Sequence, residues 1–174
     1  MTDSPSDRLF LFGDAEPFEL LSELGGRMGY AEIHCLDDDH GQQPMGPSAH
    51  VLVSLRDPRG ARVIVARLLG EGAQVPGYLG LCATEKDAMV LLLKLSHERV
   101  PKARLDAVRA PAGHGIGATT PEEIAVAIAA ELIAARRRVA AVEIKRAPRI
   151  IISDSVSSSS SDHDPGSGWR RGKR

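Results

Sequence analysis

The chain has 174 residues, a formal net charge of −1 and 43% hydrophobic residues, values typical of one globular domain. The near-zero charge argues against a general nucleic-acid-binding role, and aromatic residues, at 3%, leave few rings to stack on bases. Two cysteines are too few for a disulfide framework. The longest apolar run is too short to cross a bilayer, and the polar N-terminus lacks the pattern of a signal peptide. We therefore expect a cytoplasmic protein without a membrane span.

Composition divides the chain into three parts. Residues 1–7 are polar, and we expect them to be disordered. Residues 8–152 have the composition of one folded domain. Residues 153–174 contain a serine run, followed by glycine and a basic end, and cannot bury enough apolar surface to offset chain entropy. The last part is thus predicted to be a disordered tail.

Short apolar runs alternate with segments of helical spacing along the domain. In chain order, the patterns predict a strand at 8–12, a helix at 16–29, strands at 31–36 and 50–55, a helix at 59–70, a strand at 77–82, a helix from 84, and a helix from 120 to about 138. Weaker strands are predicted at 105–109 and 149–152. The last helix opens with a capping box formed by Thr120 and Glu123. This alternation predicts a Rossmann-like three-layer sandwich, with a mostly parallel sheet and helices on both faces.

The loop after the first strand is the first candidate ligand site, because such sheets bind ligands at the carboxyl ends of their strands. A dinucleotide loop has the pattern G-x-G-x-x-G, in which glycines let the backbone approach a diphosphate. Only Gly13 of that pattern is present, and Asp14 and Glu16 add negative charge. Asp14 therefore has two interpretations, as a cofactor-binding residue or as a cap for the helix that follows.

An acidic turn follows the second strand. Asp37 lies 24 positions after Gly13, near the roughly 20-residue offset of the carboxylate that binds ribose hydroxyls in dinucleotide folds. Asp38 is adjacent and could share that role. His34 and Cys35 raise the alternative of a metal site, but neighbouring strand residues point to opposite faces. The pattern favours a solvated acidic turn over metal binding.

Two later segments contain further candidates. Cys82 ends the fourth strand just before Thr84, where a helix N-terminus could lower the pKa of the thiol; a buried structural cysteine is the alternative. Gly113 and His114 belong to a run of alternating glycines, which could wrap an anion or turn a tight corner. His114 is either a ligand or proton carrier, or an exposed side chain without such a role.

These segments resemble the XdhC family. Residues 78–84 (YLGLCAT) are similar to its YIGLIGS segment, and residues 109–131 to its stretch R-x-P-x-G-L-D-I-G-A-x-T-P-E-E-I-A-x-x-I-x-A-E. The resemblance covers most of residues 8–138 and extends weakly to Asp37 and Asp38. It implies the C-terminal Rossmann domain of XdhC/CoxI-type accessory proteins. Such proteins assist the maturation of molybdenum hydroxylases, for example xanthine dehydrogenase and carbon monoxide dehydrogenase.

The resemblance also implies a role and a ligand. We expect an accessory protein rather than an enzyme, which handles the molybdenum cofactor or a dinucleotide and has a molybdenum hydroxylase apo-enzyme as partner. The chain departs from the family at residues 13–18, where the family has GAGHVG, and at 83–86, where it has Gly-Ser-Arg-Arg. The expected cofactor-binding residues are Gly13, Asp14, Asp37, Asp38, Cys82, Thr84, Gly113 and His114.

Two other functions stay open. A small NAD(P)-dependent oxidoreductase would need a proton donor, for which Tyr78 or His114 is available. A Rossmann domain that binds no ligand could instead serve as an interaction scaffold. The alanine-rich last helix allows close packing, either in a homodimer or against the sheet.

Overall fold

A computed structural model describes residues 7–37 and 45–137 of the chain. The strands in this part are β1 (Arg8–Phe12), β2 (Glu32–Leu36), β3 (Ala49–Ser54) and β4 (Tyr78–Cys82). The helices are α1 (Phe18–Arg27), α2 (Pro58–Leu69), α3 (Glu85–His97), α4 (Lys102–Asp106) and α5 (Pro121–Arg137). The four main strands and four main helices predicted for these ranges are all present, with bounds shifted by a few residues.

The strands form one parallel sheet in the order β2-β1-β3-β4. Leu9 of β1 is in register with Ile33 of β2 and with His50 of β3, and Val53 of β3 is in register with Leu81 of β4. Parallel neighbours require crossover connections, which α1 supplies between β1 and β2 and α2 supplies between β3 and β4. The predicted parallel sheet is confirmed.

Helices cover both faces of the sheet. On β1, Phe10 and Phe12 point to the face packed by α2 and α3, whereas Leu9 and Leu11 point to the face packed by α1 and α5. All four side chains are at most 1% exposed. Apolar side chains on both faces of a central strand are the expected sign of a sheet covered on both sides. The three-layer Rossmann-like architecture is therefore confirmed.

The predicted capping box of the last helix is present. Thr120 Oγ1 accepts a hydrogen bond from the Glu123 N–H at 3.2 Å, and Glu123 Oε2 accepts one from the Thr120 N–H at 3.1 Å. Hydrogen bonds from the backbone N–H groups of Thr119 and Thr120 lower the pKa of the Glu123 carboxyl. These reciprocal bonds satisfy amide groups that the helix itself leaves unpaired.

The strand predicted at 105–109 is wrong for most of its length. The chain forms α4 over Lys102–Asp106, and only Arg109 pairs with β4, in an isolated parallel bridge to Gly80. Pro101 stands at the start of α4, and Leu105 is buried against the α2–α3 face of the sheet. The apolar residues Leu105 and Val108 therefore follow a helical turn rather than strand alternation, and Val108 N–H donates to the Leu105 carbonyl.

Several predictions concern residues outside the described ranges, namely the candidate site residue Asp38, the disordered tail at 153–174, the strand at 149–152, and nearly all of the N-terminal segment 1–7. Asp7 is described, and its carboxylate accepts a hydrogen bond from Arg136 Nε at 2.8 Å, so it is held to α5. Across the described residues, none of the helices is long and apolar enough to cross a membrane.

Candidate functional site

The strand order reverses direction between β1 and β3. From β1 the chain crosses to β2 on one side, and from β3 it crosses to β4 on the other side. The two crossovers leave a gap at the carboxyl ends of β1 and β3, which is where open parallel sheets bind their ligands. A cavity of about 600 Å³ opens at this position, beside the first turn of α2.

Charged and polar side chains from three strand ends line this cavity. In chain order they are Asp14 after β1, Asp37 after β2, and Ser54, Arg56 and Asp57 at the end of β3. Three of the five are carboxylic acids and one is a guanidinium. Because like charges repel, this lining favours hydrogen-bond donors and cations over phosphate groups. Gly13 and Asp37, two of the predicted site residues, are thus brought to the same cavity as Asp14.

A set of contacts joins the loop after β1 to the end of β3; we call it the Asp14–Arg56 clasp, and it consists of Asp14, Glu16, Ser54 and Arg56. Ser54 Oγ donates a hydrogen bond to the Asp14 carbonyl at 2.6 Å and accepts one from the Arg56 N–H at 3.2 Å. The Arg56 guanidinium contacts Asp14 Oδ2 at 2.6 Å and Glu16 Oε1 at 3.5 Å. The clasp therefore fixes both the backbone and the side chain of Asp14.

The prediction that Asp14 caps α1 is wrong. The residue at the N-cap position is Pro17, which makes no side-chain cap hydrogen bond to the first turn of α1. Asp14 lies too early in the loop to reach those amides, and Arg56 offers it a charge-assisted bond instead. Gly13 adopts φ +79°, and a Cβ there would lie 3.4 Å from Ser54 Cβ, so the glycine lets the two loops approach each other.

Asp57 is a site residue that sequence reasoning missed. Its carboxylate accepts hydrogen bonds from the N–H groups of Arg59, at 3.0 Å, and Gly60, at 3.1 Å, and so caps α2. The signal was present in the sequence, since aspartate directly before proline is a common helix start. These two amides at the start of α2 are consequently occupied by the protein's own carboxylate, and Gly60 lines the cavity.

Cys82 and Thr84 lie at the end of β4 and do not line the cavity. Thr84 Oγ1 accepts from the Asp87 N–H at 3.2 Å and donates to Asp87 Oδ2 at 2.7 Å, which makes it the cap of α3. Burial raises the pKa of the Cys82 thiol to about 12. This burial favours the protonated thiol, and so the interpretation of Cys82 as a structural cysteine over that of a thiol activated by the helix N-terminus.

Gly113 and His114 lie against α5 rather than at the cavity. The Gly113 N–H donates to Glu131 Oε2 at 2.6 Å, and the His114 N–H donates to the Ala127 carbonyl at 3.3 Å. Gly113 has φ +101°, and a Cβ there would lie 3.3 Å from side-chain atoms of both Ala127 and Ile128. The glycine thus permits a tight corner beside α5, which was the structural alternative for this segment.

Glu131 is the second residue that sequence reasoning missed. It is 5% exposed, and besides Gly113 its carboxylate accepts a hydrogen bond from the Tyr78 hydroxyl at 3.0 Å and contacts Arg109 Nε at 3.5 Å. We call these four residues the Glu131 cluster. Burial, followed by the negative charge of Glu131, raises the pKa of Tyr78 well above its usual value. Tyr78, the suggested proton donor of an oxidoreductase, is thus bonded within the core and does not line the cavity.

A buried histidine lies next to the Glu131 cluster. His50 Nδ1 is 2.6 Å from the Tyr30 hydroxyl, and its ring meets the Tyr78 ring edge to face at 6.2 Å. Burial lowers the pKa of His50, so the neutral imidazole is favoured. The Arg136 guanidinium stacks on the Tyr30 ring at 4.5 Å and connects this pair to the surface.

The cavity residues fit the ribose of a nucleotide cofactor but not its diphosphate. Asp37 is an exposed carboxylate at the strand end where a ribose hydroxyl would be accepted. A diphosphate does not fit the loop after β1, because Asp14 and Glu16 compete for Arg56 and Pro17 has no N–H to donate. No group of three histidine, cysteine, aspartate or glutamate residues within 7–37 and 45–137 is arranged to hold a metal ion.

Comparisons with known proteins concern both the sequence and the fold. In Escherichia coli K12, the uncharacterized protein YqeB is 36% identical over 56 residues, which are 32% of this chain and 10% of YqeB. A crystal structure of a xanthine dehydrogenase from Bacillus halodurans superimposes with a TM-score of 0.62 at 22% identity, covering 79% of this chain and 45% of that one. The chain thus spans less than half the length of either protein, and the second comparison shows the fold alone.

A family comparison covers more of the chain. The family model of the XdhC Rossmann domain matches residues 9–132, from the first core residue of β1 to the last fully buried leucine of α5. This range contains both the cavity and the Glu131 cluster. The chain therefore belongs to the XdhC family and comprises its Rossmann domain.

Proposed function

We propose that this protein is a cytoplasmic accessory factor in the maturation of a molybdenum hydroxylase of the xanthine dehydrogenase or carbon monoxide dehydrogenase type. The observation that carries the proposal is the match of residues 9–132 to the XdhC Rossmann domain. The fold shared with a Bacillus halodurans protein named a xanthine dehydrogenase supports an association with that class of enzyme. Its partner in this role is the apo-enzyme of the hydroxylase.

The cavity supports a limited part of the expected cofactor contacts. Asp37 and Arg56 could hold hydroxyl or amino groups and one anionic group, whereas Asp14 opposes a diphosphate. Thr84, Gly113 and Cys82 have structural partners or a protonated thiol, and no cofactor role is proposed for them. The protein accordingly assists its client through protein contacts, without a dinucleotide held by the loop after β1.

The same observations favour one second candidate, a Rossmann scaffold that binds no nucleotide. The carboxylate of Asp57 occupies the amides at the start of α2, and Arg56 is paired within the clasp. Both groups that could receive a phosphate are thereby bonded to the protein itself. In this case the chain supports maturation by bringing other proteins together.

The accessory role is tested by producing a xanthine dehydrogenase-type molybdenum hydroxylase in cells with and without this protein. We expect lower molybdenum content and lower specific activity of the purified hydroxylase when the protein is absent. An Asp37→Asn variant tests the cavity, and Asp106→Asn, on exposed α4, is the matched control. Equal molybdenum content with and without the protein would contradict the proposal.

Ligand binding is tested separately by isothermal titration calorimetry with NAD(H), NADP(H) and molybdopterin cytosine dinucleotide. We expect no tight binding of NAD(P)(H) to the unmodified protein. In Asp14→Gly, removal of one carboxylate and release of Arg56 should strengthen any dinucleotide affinity by roughly tenfold if the loop is the site. Tight NAD(P)(H) binding together with substrate turnover would favour the oxidoreductase instead.

A further inference from the structure

The outward face of α5 carries an apolar stripe. Val126 is 54% exposed and Ile133 is 45% exposed, and Ala130, between them, is also exposed. Glu122 precedes this stripe by one turn and Arg137 follows it by one turn. At about 100° per residue, all five side chains lie within about 80° of arc on the helix, so they form one continuous surface. We call it the α5 seam.

The neighbouring helix in the same layer has a different outward face. The outward residues of α1 include Glu19, Glu23 and Arg27, and the last two form an exposed ion pair at 2.9 Å. Both helices pack their inner faces on the same side of the sheet. One presents charges to solvent, as expected for a surface helix, and the other presents valine and isoleucine. Exposed apolar side chains also occur on α3, at Met89, Val90 and Leu93, in the opposite layer.

The ends of the α5 seam have opposite charge. Glu122 lies in the first turn of the helix and Arg137 in the last turn. If two copies of the helix pack antiparallel about a two-fold axis, Glu122 faces Arg137 of the second copy, and Val126 faces Ile133 of the second copy. Ala130 lies next to the axis, where a small side chain allows close approach of the two helices. The seam is therefore complementary to itself in charge, shape and hydrophobicity.

We propose that the α5 seam is the interface of a homodimer, in which two copies of α5 pack antiparallel around Ala130. The surface lies on the α1–α5 layer and uses no residue of the cavity, so it does not depend on the proposed function. At 17 residues, α5 is about 25 Å long, and one such pair buries less than the ~1,600 Å² of a standard interface. Because this interface is small, we expect the dimer to dissociate on dilution.

The first test measures the mass of the full chain by analytical ultracentrifugation over a range of concentrations. We expect a concentration-dependent dimer for the unmodified protein and a loss of affinity of about a hundredfold for Ile133→Glu. Leu93→Glu is the matched control, because Leu93 is 58% exposed on α3, in the opposite layer. Circular dichroism melting curves confirm that each variant is folded, which these exposed positions should permit.

A charge exchange tests the antiparallel arrangement. Glu122→Arg and Arg137→Glu should each weaken the dimer by about tenfold, since each places like charges opposite one another. The double variant should restore affinity, because the two charges are then exchanged but still complementary. Restoration would not occur if the two residues contacted unrelated surfaces.

A disulfide test locates the axis. In a Cys35→Ser background, Ala130→Cys should form an intermolecular disulfide on mild oxidation, and Leu93→Cys should not. A protein that is monomeric at every concentration would overturn the proposal, as would equal effects of Ile133→Glu and Leu93→Glu. In either case the seam would be covered by another part of this chain or by the client enzyme.

Discussion

The Asp14–Arg56 clasp and the Glu131 cluster both join a carboxylate to an arginine, but they lie in different environments. In the clasp, the side chains of Arg56 and Asp14 are 59% and 77% exposed. In the cluster, the side chain of Glu131 is only 6% exposed, and it also accepts bonds from Tyr78 and Gly113. Exposed ion pairs contribute little to stability, whereas removing one member of a buried hydrogen-bonded set leaves the others unsatisfied. The clasp therefore sets the charge of the cavity, and the cluster holds the fold together.

The largest effect is expected for Glu131→Ala. The substitution leaves the Tyr78 hydroxyl and the Gly113 N–H without their buried acceptor, and the free energy of unfolding should fall by about 3 kcal/mol. Urea denaturation followed by circular dichroism measures this. Glu19→Ala, at an exposed helical position, is the control and should change it by less than about 0.5 kcal/mol. If Glu131→Ala lowered the free energy of unfolding no more than the control does, the buried hydrogen bonds of Glu131 would not stabilise the fold.

A smaller loss is expected for Tyr78→Phe, which removes one hydroxyl and keeps the ring. The free energy of unfolding should fall by about 1 kcal/mol, because Gly113 and Arg109 still contact the carboxylate. Combined with Glu131→Gln in a double-mutant cycle, the coupling energy should be about 1 kcal/mol. Simple additivity of the two substitutions would mean that the hydroxyl and the carboxyl do not stabilise each other.

The buried histidine should make stability depend on pH. Burial lowers the pKa of His50 below its usual value of about 6.5, so in acid the unfolded chain takes up a proton that the folded chain resists. The contribution of the neutral His50 to the free energy of unfolding should thus be complete above about pH 6.5. It should decline as the pH falls through the folded-state pKa of His50. Urea denaturation at a series of pH values should show this decline reduced in His50→Asn. His34→Asn, on edge strand β2, should retain the full decline in stability. If stability depended on pH in the same way in both variants, burial of His50 would not be the cause of the decline.

The smallest effect on stability is expected at the clasp. Arg56→Gln removes an exposed guanidinium, and the free energy of unfolding should change by no more than about 0.5 kcal/mol. The same variant should nevertheless weaken the binding of an anionic ligand at the cavity, if one binds there, since it removes a guanidinium from the lining. If Arg56→Gln lowered the free energy of unfolding as much as Glu131→Ala does, the clasp and the Glu131 cluster would not differ in their contribution to stability.

The parts of the fold that could be predicted are those determined by residues close together in the sequence. The four strands are short apolar runs, and the capping box joins Thr120 and Glu123 within one helical turn. The strand expected at 105–109 is wrong because Leu105 and Val108 lie three residues apart, which is a helical spacing, and Leu105 packs against the core from the short helix α4.

The candidate site was predictable only in part, because some of its contacts join residues that are far apart in the chain. Gly13 and Asp37 could be placed at the cavity because parallel strands end at one edge of a sheet. Glu131 could not be recognised, because its partners Tyr78 and Gly113 lie 53 and 18 positions away in the chain. In the sequence it is one of several glutamates on a helix, and only the fold shows that it is buried.

The order of the strands has a consequence for how the chain folds during synthesis. Of the four described strands, β1 leaves the ribosome first and occupies an interior position; β2 then adds to one side of it, β3 to the other, and β4 to β3. None of these four strands has to insert between two that are already paired, so this sheet can grow outward as each strand emerges. The α5 helix emerges after all four strands, and Glu131 then bonds β4 and the segment at Gly113, completing the domain once its sheet has formed.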